Sequence, residues 1–182
     1  VYEIDKVFVD IRSEGMNQGL ITTFIRFGTG NSYNTLDELI GYLKDKLTTK
    51  WITICGEDTI RVGTGVLVQQ LKAWGFNIEI IYSGSMKEPN WFNSVSLWMV
   101  DFKKGSFFEY SRLRPKDSIR FKVPDRFKMT DVIPLTEELV ICPAVQVVSI
   151  PESNWSDEGG WKFTAYENLG RADRLRVCKR QE

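Results

Sequence analysis

Few residues in this 182-residue chain can do chemistry, and their spacing excludes more than it allows. There is no histidine, so the usual general base and the commonest metal-ligating side chain are both missing. The three cysteines, Cys55, Cys142 and Cys178, are odd in number and far apart. They fit a reduced, cytoplasmic protein better than a disulfide framework. Cys55 has no imidazole to activate it, which argues against catalytic cysteine chemistry. What remains are residues at strand ends. Arg26 closes an otherwise apolar segment; its fork suits a planar carboxylate, and its charge could equally well just reach solvent. Gly28-Thr29-Gly30 and Gly63-Thr64-Gly65 lack a phosphate-loop lysine and a third glycine, so they read as turns.

The elements that must position these residues alternate in kind. Val1 to Asp10 reads as a strand with Tyr2, Ile4, then Val7 and Val9 inward by turns. Leu20 to Phe27 is a buried strand, followed by a loop, FGTGNSYN, rich in turn residues. Thr35 and Glu38 form a capping box for a helix from about Leu36 to Leu47, whose Leu36, Leu39, Ile40, Leu43 and Leu47 share a face. Trp51 to Cys55 is the next strand. A helix over roughly Gly65 to Trp74 turns Val66, Leu67, Leu71 and Trp74 inward and stops at Gly75-Phe76. Asn77 to Tyr82, Val95 to Val100, the Ile119-Phe121-Val123 alternation and part of Leu139 to Ile150 supply further strands. This order predicts right-handed βαβ units and a mainly parallel sheet. After Pro151 come a loop around Ser153 to Gly160, a short helix over Phe163 to Leu169 and a basic tail, Arg171 to Arg180. The expectation is one α/β domain over 1–182, with a barrel-like core over 1–150 and a C-terminal loop and tail over 151–182.

Composition narrows the function classes. Lys plus Arg and Asp plus Glu are 24 each, which argues against a dedicated nucleic-acid surface or an anionic-membrane surface. No apolar run approaches the length of a membrane span. Trp51, Trp74 and Trp98 read as core, and no aromatic-basic sheet face suggests base stacking. The chain begins at Val1 rather than Met, so it reads as processed, trimmed or incomplete.

Several segments resemble one family in order. Glu14-Gly15, Gly19 and Phe24-Ile25-Arg26-Phe27-Gly28-Thr29 are similar to the opening of 7-carboxy-7-deazaguanine synthase, a radical S-adenosylmethionine enzyme family of queuosine precursor biosynthesis. Ile54-Cys55-Gly56-Glu57-Asp58 resembles its Gly-Gly-Glu-Pro segment, which approaches the methionyl end of S-adenosylmethionine. Tyr82-Ser83-Gly84-Ser85 resembles the turn after its third strand, and Val100-Asp101-Phe102-Lys103 its Asp-Tyr-Lys segment after the fourth. Ser118 to Asp125 is similar to a later strand, and the likeness runs to about Pro143. Three departures stand out. Arg12-Ser13 replaces the first half of a Gln-Gly-Glu-Gly turn. Cys55 and Asp58 replace a glycine and a proline. The family's C-x-x-x-C-x-x-C loop, which holds an iron–sulfur cluster, is missing at the junction of Gly30 and Asn31.

The resemblance implies a fold: an α/β, shortened, partly open parallel β/α barrel of the radical S-adenosylmethionine type. It implies substrate-binding roles for Arg26, Glu14 and Gly15, with Arg26 on the substrate carboxylate and Glu14 on the guanidine-like edge of a pterin or deazaguanine. It implies cofactor-binding roles for Gly56, Glu57, Ser83, Gly84, Asp101 and Lys103, and assigns no catalytic or metal-binding residue. Without the cysteine loop the expectation is a catalytically degenerate relative acting by binding. The alternatives are an active synthase whose cluster loop belongs to a longer polypeptide, or a scaffold recruited to bind or inhibit a protein partner. The cofactor expectation is none; S-adenosylmethionine, a 4Fe-4S cluster and Mg enter only if that loop exists. A small pterin- or deazapurine-like carboxylate, a protein partner and a homodimer are the partners considered.

Overall fold

A computed structural model describes residues 1–12, 15–57, 59–61, 63–123, 146–151, 163–169 and 172–180, with backbone path and strand pairing alone from Lys122 onward. The chain divides into two compact units. The first comprises Val1–Arg12, Leu20–Ser83 and Glu88–Trp98, and the second comprises Ser13–Gly19, Gly84–Lys87 and Met99–Glu182.

In the first unit, β1 (Tyr2–Ile11) pairs antiparallel with β2 (Ile21–Tyr33). β2 then pairs parallel with β3 (Trp51–Gly56), and β3 parallel with β4 (Asn77–Tyr82). Helices α1 (Leu36–Leu43) and α2 (Thr64–Ala73) make the two crossovers, the βαβ pattern expected. The capping box at α1 is present. Thr35 Oγ1 accepts from the Glu38 amide at 3.2 Å, and the Glu38 carboxylate accepts from the amides of Asn34 and Thr35 at 2.7 and 3.4 Å. The helix is a turn shorter than expected, because Lys44 to Lys46 close it before Leu47.

One sheet face is apolar throughout. Ile25, Phe27, Ile52, Ile54, Ile78 and Ile80 alternate along β2, β3 and β4 and are almost wholly buried. Leu39 and Leu43 of α1 and Leu67, Val68 and Leu71 of α2 are equally buried, and this is the layer that the helices cover. Each such side chain is worth about 1.5–3 kcal/mol. The expected inward face of α2 is partly corrected: Val66 is 53% exposed and Trp74 43% exposed. Val66 lies off the stripe that Leu67 and Leu71 bury, and Trp74 is the C-cap, one residue past the helix. Val9 is likewise exposed, at 49%.

The opposite face is polar at the N-terminal ends of the parallel strands. Arg12 and Glu79, each 2% exposed, form a bidentate pair at 2.7 and 3.0 Å. Thr53 Oγ1 donates to the same carboxylate at 3.1 Å, and Thr22 and Thr53 share a hydroxyl contact at 3.0 Å. Four chain segments meet in this network.

The largest correction concerns β2. The expected loop FGTGNSYN is strand through Tyr33, because Asn31, Ser32 and Tyr33 pair with Ile4, Glu3 and Tyr2. Ile4 has both Phe27 and Asn31 as register partners, so Gly28, Thr29 and Gly30 form a bulge. A side chain at Gly30 would place its Cβ 2.3 Å from the Ile4 carbonyl oxygen, which is why glycine stands there.

In the second unit, Met99–Asp101 of β5 (Leu97–Asp101) pairs parallel with β6 (Ser118–Val123). β6 pairs parallel with β7 (Gln146–Pro151), and β7 with β9 (Ala172–Arg180). The segment Phe163–Leu169 is β8, antiparallel to β9. The short helix and basic tail expected there are instead a strand pair, of which β9 also pairs with β7. The strand expected within Leu139 to Ile150 is described only from Gln146; its earlier residues lie outside the described set. No helix among the described residues is long and apolar enough to cross a membrane.

Replacing Arg12 by Ala leaves Glu79 buried without its guanidinium and is expected to cost about 3–5 kcal/mol. The paired replacement Arg12→Met with Glu79→Leu should recover most of that loss. Urea unfolding of the two variants checks both outcomes.

Candidate functional site

The residues singled out from sequence fall in both units. In the first, Arg26 and Cys55 are register partners on β2 and β3, followed by Phe27 and Gly56. Arg26 alternates with the buried Ile25 and Phe27, so it lies on the face away from the helices. It keeps 31% exposure and pairs with Asp5 at 3.3 Å. Phe24, two residues earlier on that face, stacks on Phe8 of β1 with ring centroids 4.9 Å apart. Arg26 is thus a half-exposed cation beside an aromatic pair and a thiol.

Gly56 has φ near +100°, and a Cβ there would fall 2.0 Å from the Phe27 carbonyl oxygen. That same oxygen accepts from the Glu57 amide at 3.1 Å. Gly56 is therefore needed for the close approach of β3 to β2, and Cys55 is an ordinary strand residue in front of it. Glu57 and Ser83 are exposed at the ends of β3 and β4. Glu14 and Asp58 lie outside the described residues.

In the second unit, Gly15 opens a turn with φ near +76°, its carbonyl accepting from Gln18 N–H at 3.2 Å. Gly84, Asp101 and Lys103 converge on one hydroxyl. Tyr110 Oη donates to the Asp101 carbonyl at 3.1 Å and accepts from the Lys103 amide at 2.8 Å. Gly84 has φ near +65°, and a Cβ on it would lie 2.3 Å from that same Asp101 carbonyl. Ser106 Oγ donates to the Gly84 carbonyl and accepts from Phe108 N–H. The Asp101 carboxylate receives Arg120 Nε and a terminal guanidinium nitrogen at 2.5 and 3.0 Å. Sequence reasoning singled out Gly84, Asp101 and Lys103 but not Ser106, Tyr110 and Arg120, which bond to them here. Only the phase of β6, which sets Arg120 directly opposite Asp101, could have pointed to one of them.

A groove of about 540 Å³ lies in the first unit at the N-terminal end of α2, lined by Arg61, Gly63, Gly65, Gln69, Asn90 and Trp91 among others. None of the substrate- or cofactor-binding residues expected from sequence lines it. Arg61 there pairs with Glu3 at 2.6 Å, and Tyr2 Oη donates to the Gly63 carbonyl at 3.3 Å. Burial pushes the Tyr2 phenol above its ordinary pKa, which keeps it a donor.

An iron–sulfur cluster needs several converging thiolates. Cys55 is on β3 and Cys178 on β9, and Cys142 lies outside the described residues. Among the described residues no group of three His, Cys, Asp or Glu side chains is close enough to hold a metal ion. At the junction of Gly30 and Asn31 the chain passes from the bulge into the paired end of β2.

These features define an open, mostly parallel α/β fold with ligand-type residues at the carboxyl ends of its strands. Among solved structures, the crystal structure of QueE from Escherichia coli is similar in fold, with a TM-score of 0.62 and 16% identity over 97% of this chain and 93% of that one. The fold is therefore the shortened, partly open parallel β/α barrel type expected from the sequence. No family model matches the chain, and no curated protein is significantly similar to it in sequence.

Gly56→Ala combines a strained φ with a clash against backbone and should cost about 1–3 kcal/mol. A urea midpoint within error of the wild type would show that the β2–β3 approach is not what requires glycine there.

Proposed function

We propose that this protein is a relative of 7-carboxy-7-deazaguanine synthase that acts by binding and not by radical chemistry. The relation rests on the QueE-like fold. The observation that carries the loss of chemistry is β2: it continues through Tyr33 and pairs with β1 at the position of the cluster loop. Reductive cleavage of S-adenosylmethionine is cluster chemistry, and these residues derive no such step. The proposed ligand is a planar pterin- or deazapurine-type carboxylate, taken by Arg26. Its support is an arginine on the face away from the helices, open to solvent and beside the Phe8–Phe24 stack. A guanidinium can exchange Asp5 for a ligand carboxylate and hold it through two nitrogens.

Two measurements test this. After anaerobic reconstitution with iron and sulfide, protein of this sequence should show no thiolate-to-iron absorbance. It should also form no 5′-deoxyadenosine from S-adenosylmethionine under reducing conditions. Stoichiometric cluster with turnover would instead make it an active synthase.

Calorimetry with 7-carboxy-7-deazaguanine addresses the pocket. Arg26→Ala removes a charged hydrogen bond worth roughly 1.5–3 kcal/mol, so binding should weaken about ten- to a hundredfold. The unfolding midpoint should stay near that of the wild type. If wild-type protein takes up none of this ligand, recruitment of the scaffold by a protein partner becomes the better reading.

A further inference from the structure

Arg26 has another cation directly across the ladder. In the β1–β2 pair its register partner is Lys6, and two residues along Phe8 faces Phe24. Directly opposed residues share a face, so Lys6 and Phe8 lie with Arg26 and Phe24 on the side away from the helices. The four make a square: the rings of Phe8 and Phe24 stack with centroids 4.9 Å apart, and the two cations sit beside them. The Lys6 ammonium rests over the Phe8 ring, 4.9 Å from its centroid, while Asp5 lies against Arg26 Nε at 3.3 Å. Cations set opposite each other are unfavourable in a sheet, so strand pairing gives no reason for Lys6. An exposed cation–π contact is weak, and a flexible four-carbon stem can carry the ammonium back toward Arg26 at little cost.

We propose that Lys6 is the second cation of the Arg26 site and sets its selectivity for an anionic over a neutral planar ligand, with Asp5 as the internal competitor. The inference rests on the reading of Arg26 given above. Charge count decides it. A ligand carboxylate that reaches Arg26 meets Asp5 as well, and two carboxylates against one guanidinium leave a net negative charge. Lys6 balances that count, so two cations face two carboxylates. A carboxamide of the same shape brings no charge. It gains nothing from Lys6 and loses nothing to Asp5. Arginine would serve in place of Lys6, because the position supplies charge and not one fixed bond geometry.

Calorimetry of the full chain with 7-carboxy-7-deazaguanine and with its 7-carboxamide tests this. Lys6→Met keeps an apolar stem and removes the charge. It should weaken the carboxylate about fivefold and leave the carboxamide within about twofold of the wild type. Asp5→Asn should tighten the carboxylate by a similar factor, about fivefold, again without moving the carboxamide. Lys6→Arg should bind the carboxylate within about twofold of the wild type. The urea midpoint of Lys6→Met should lie at or above that of the wild type, because a like-charge opposition is relieved. If the wild type binds the carboxylate and Arg26→Ala loses it, but Lys6→Met does not change it, this inference falls and the reading of Arg26 stands. A Lys6→Met variant that weakens both ligands equally, or unfolds at lower urea, makes Lys6 structural and also overturns it. A wild type that takes up no carboxylate removes both.

Discussion

The Arg12–Glu79 ion pair is the constraint on which the first unit depends. Both groups are withdrawn from water, so each is tolerable only while the other is in place. Arg12 follows β1, Thr22 is on β2, Thr53 on β3 and Glu79 on β4, and the hydroxyls of the two threonines complete the contact. One misplaced strand therefore breaks a shared network and not a single bond. A one-residue slip of β3 or β4 would turn Thr53 or Glu79 into the apolar layer under the helices and bring an isoleucine to the guanidinium. The hydrophobic layer drives collapse, and the buried charges choose the register within it.

This division also sorts the arginines. Arg12 is buried in scaffold, Arg120 fixes Asp101 across two parallel strands, and Arg26 stands half-exposed on the polar face. Burial and partner separate them, whereas residue type cannot. The same holds for the glycines at strand ends. Gly56 and Gly84 both sit in segments that resemble a cofactor-binding family, yet in each case the contact that demands glycine is a carbonyl of this chain's own backbone. A side-chain-free position is thus explained by packing before any ligand is invoked.

Most of the fold was legible where local signals agreed with distant ones. The capping box at Thr35 and the period of Leu39 and Leu43 announced α1, and the NIEIIY run matches β4 residue for residue. The failures share a cause. Gly28, Gly30, Asn31 and Ser32 have turn chemistry, and only the return of β1 alongside them makes them strand. The segment Phe163–Leu169 has few β-branched residues, and what makes it strand is its pairing with β9, which in turn lies against β7. At the candidate site the sequence offered positions without partners: Gly84, Asp101 and Lys103 were singled out by resemblance, but the Tyr110 hydroxyl that gathers them follows from a loop path that no short pattern encodes. On α2, Val66 is off the buried stripe of Leu67 and Leu71, and Trp74, though in phase with them, sits at the C-cap where the covered layer ends.

The bulge of Gly28, Thr29 and Gly30 has a consequence for how this scaffold tolerates changes in length. It is flanked on both sides by paired strand, so the chain enters and leaves the ladder at fixed points about one residue of β1 apart. Additional residues grafted there would project from a seam whose ends are already held together. Closing a longer excursion costs little more than closing a short one, about 0.6 kcal/mol for each doubling of its length. A segment of quite different size could therefore be gained or lost at this seam while β1, β2 and the buried ion pair stay as they are.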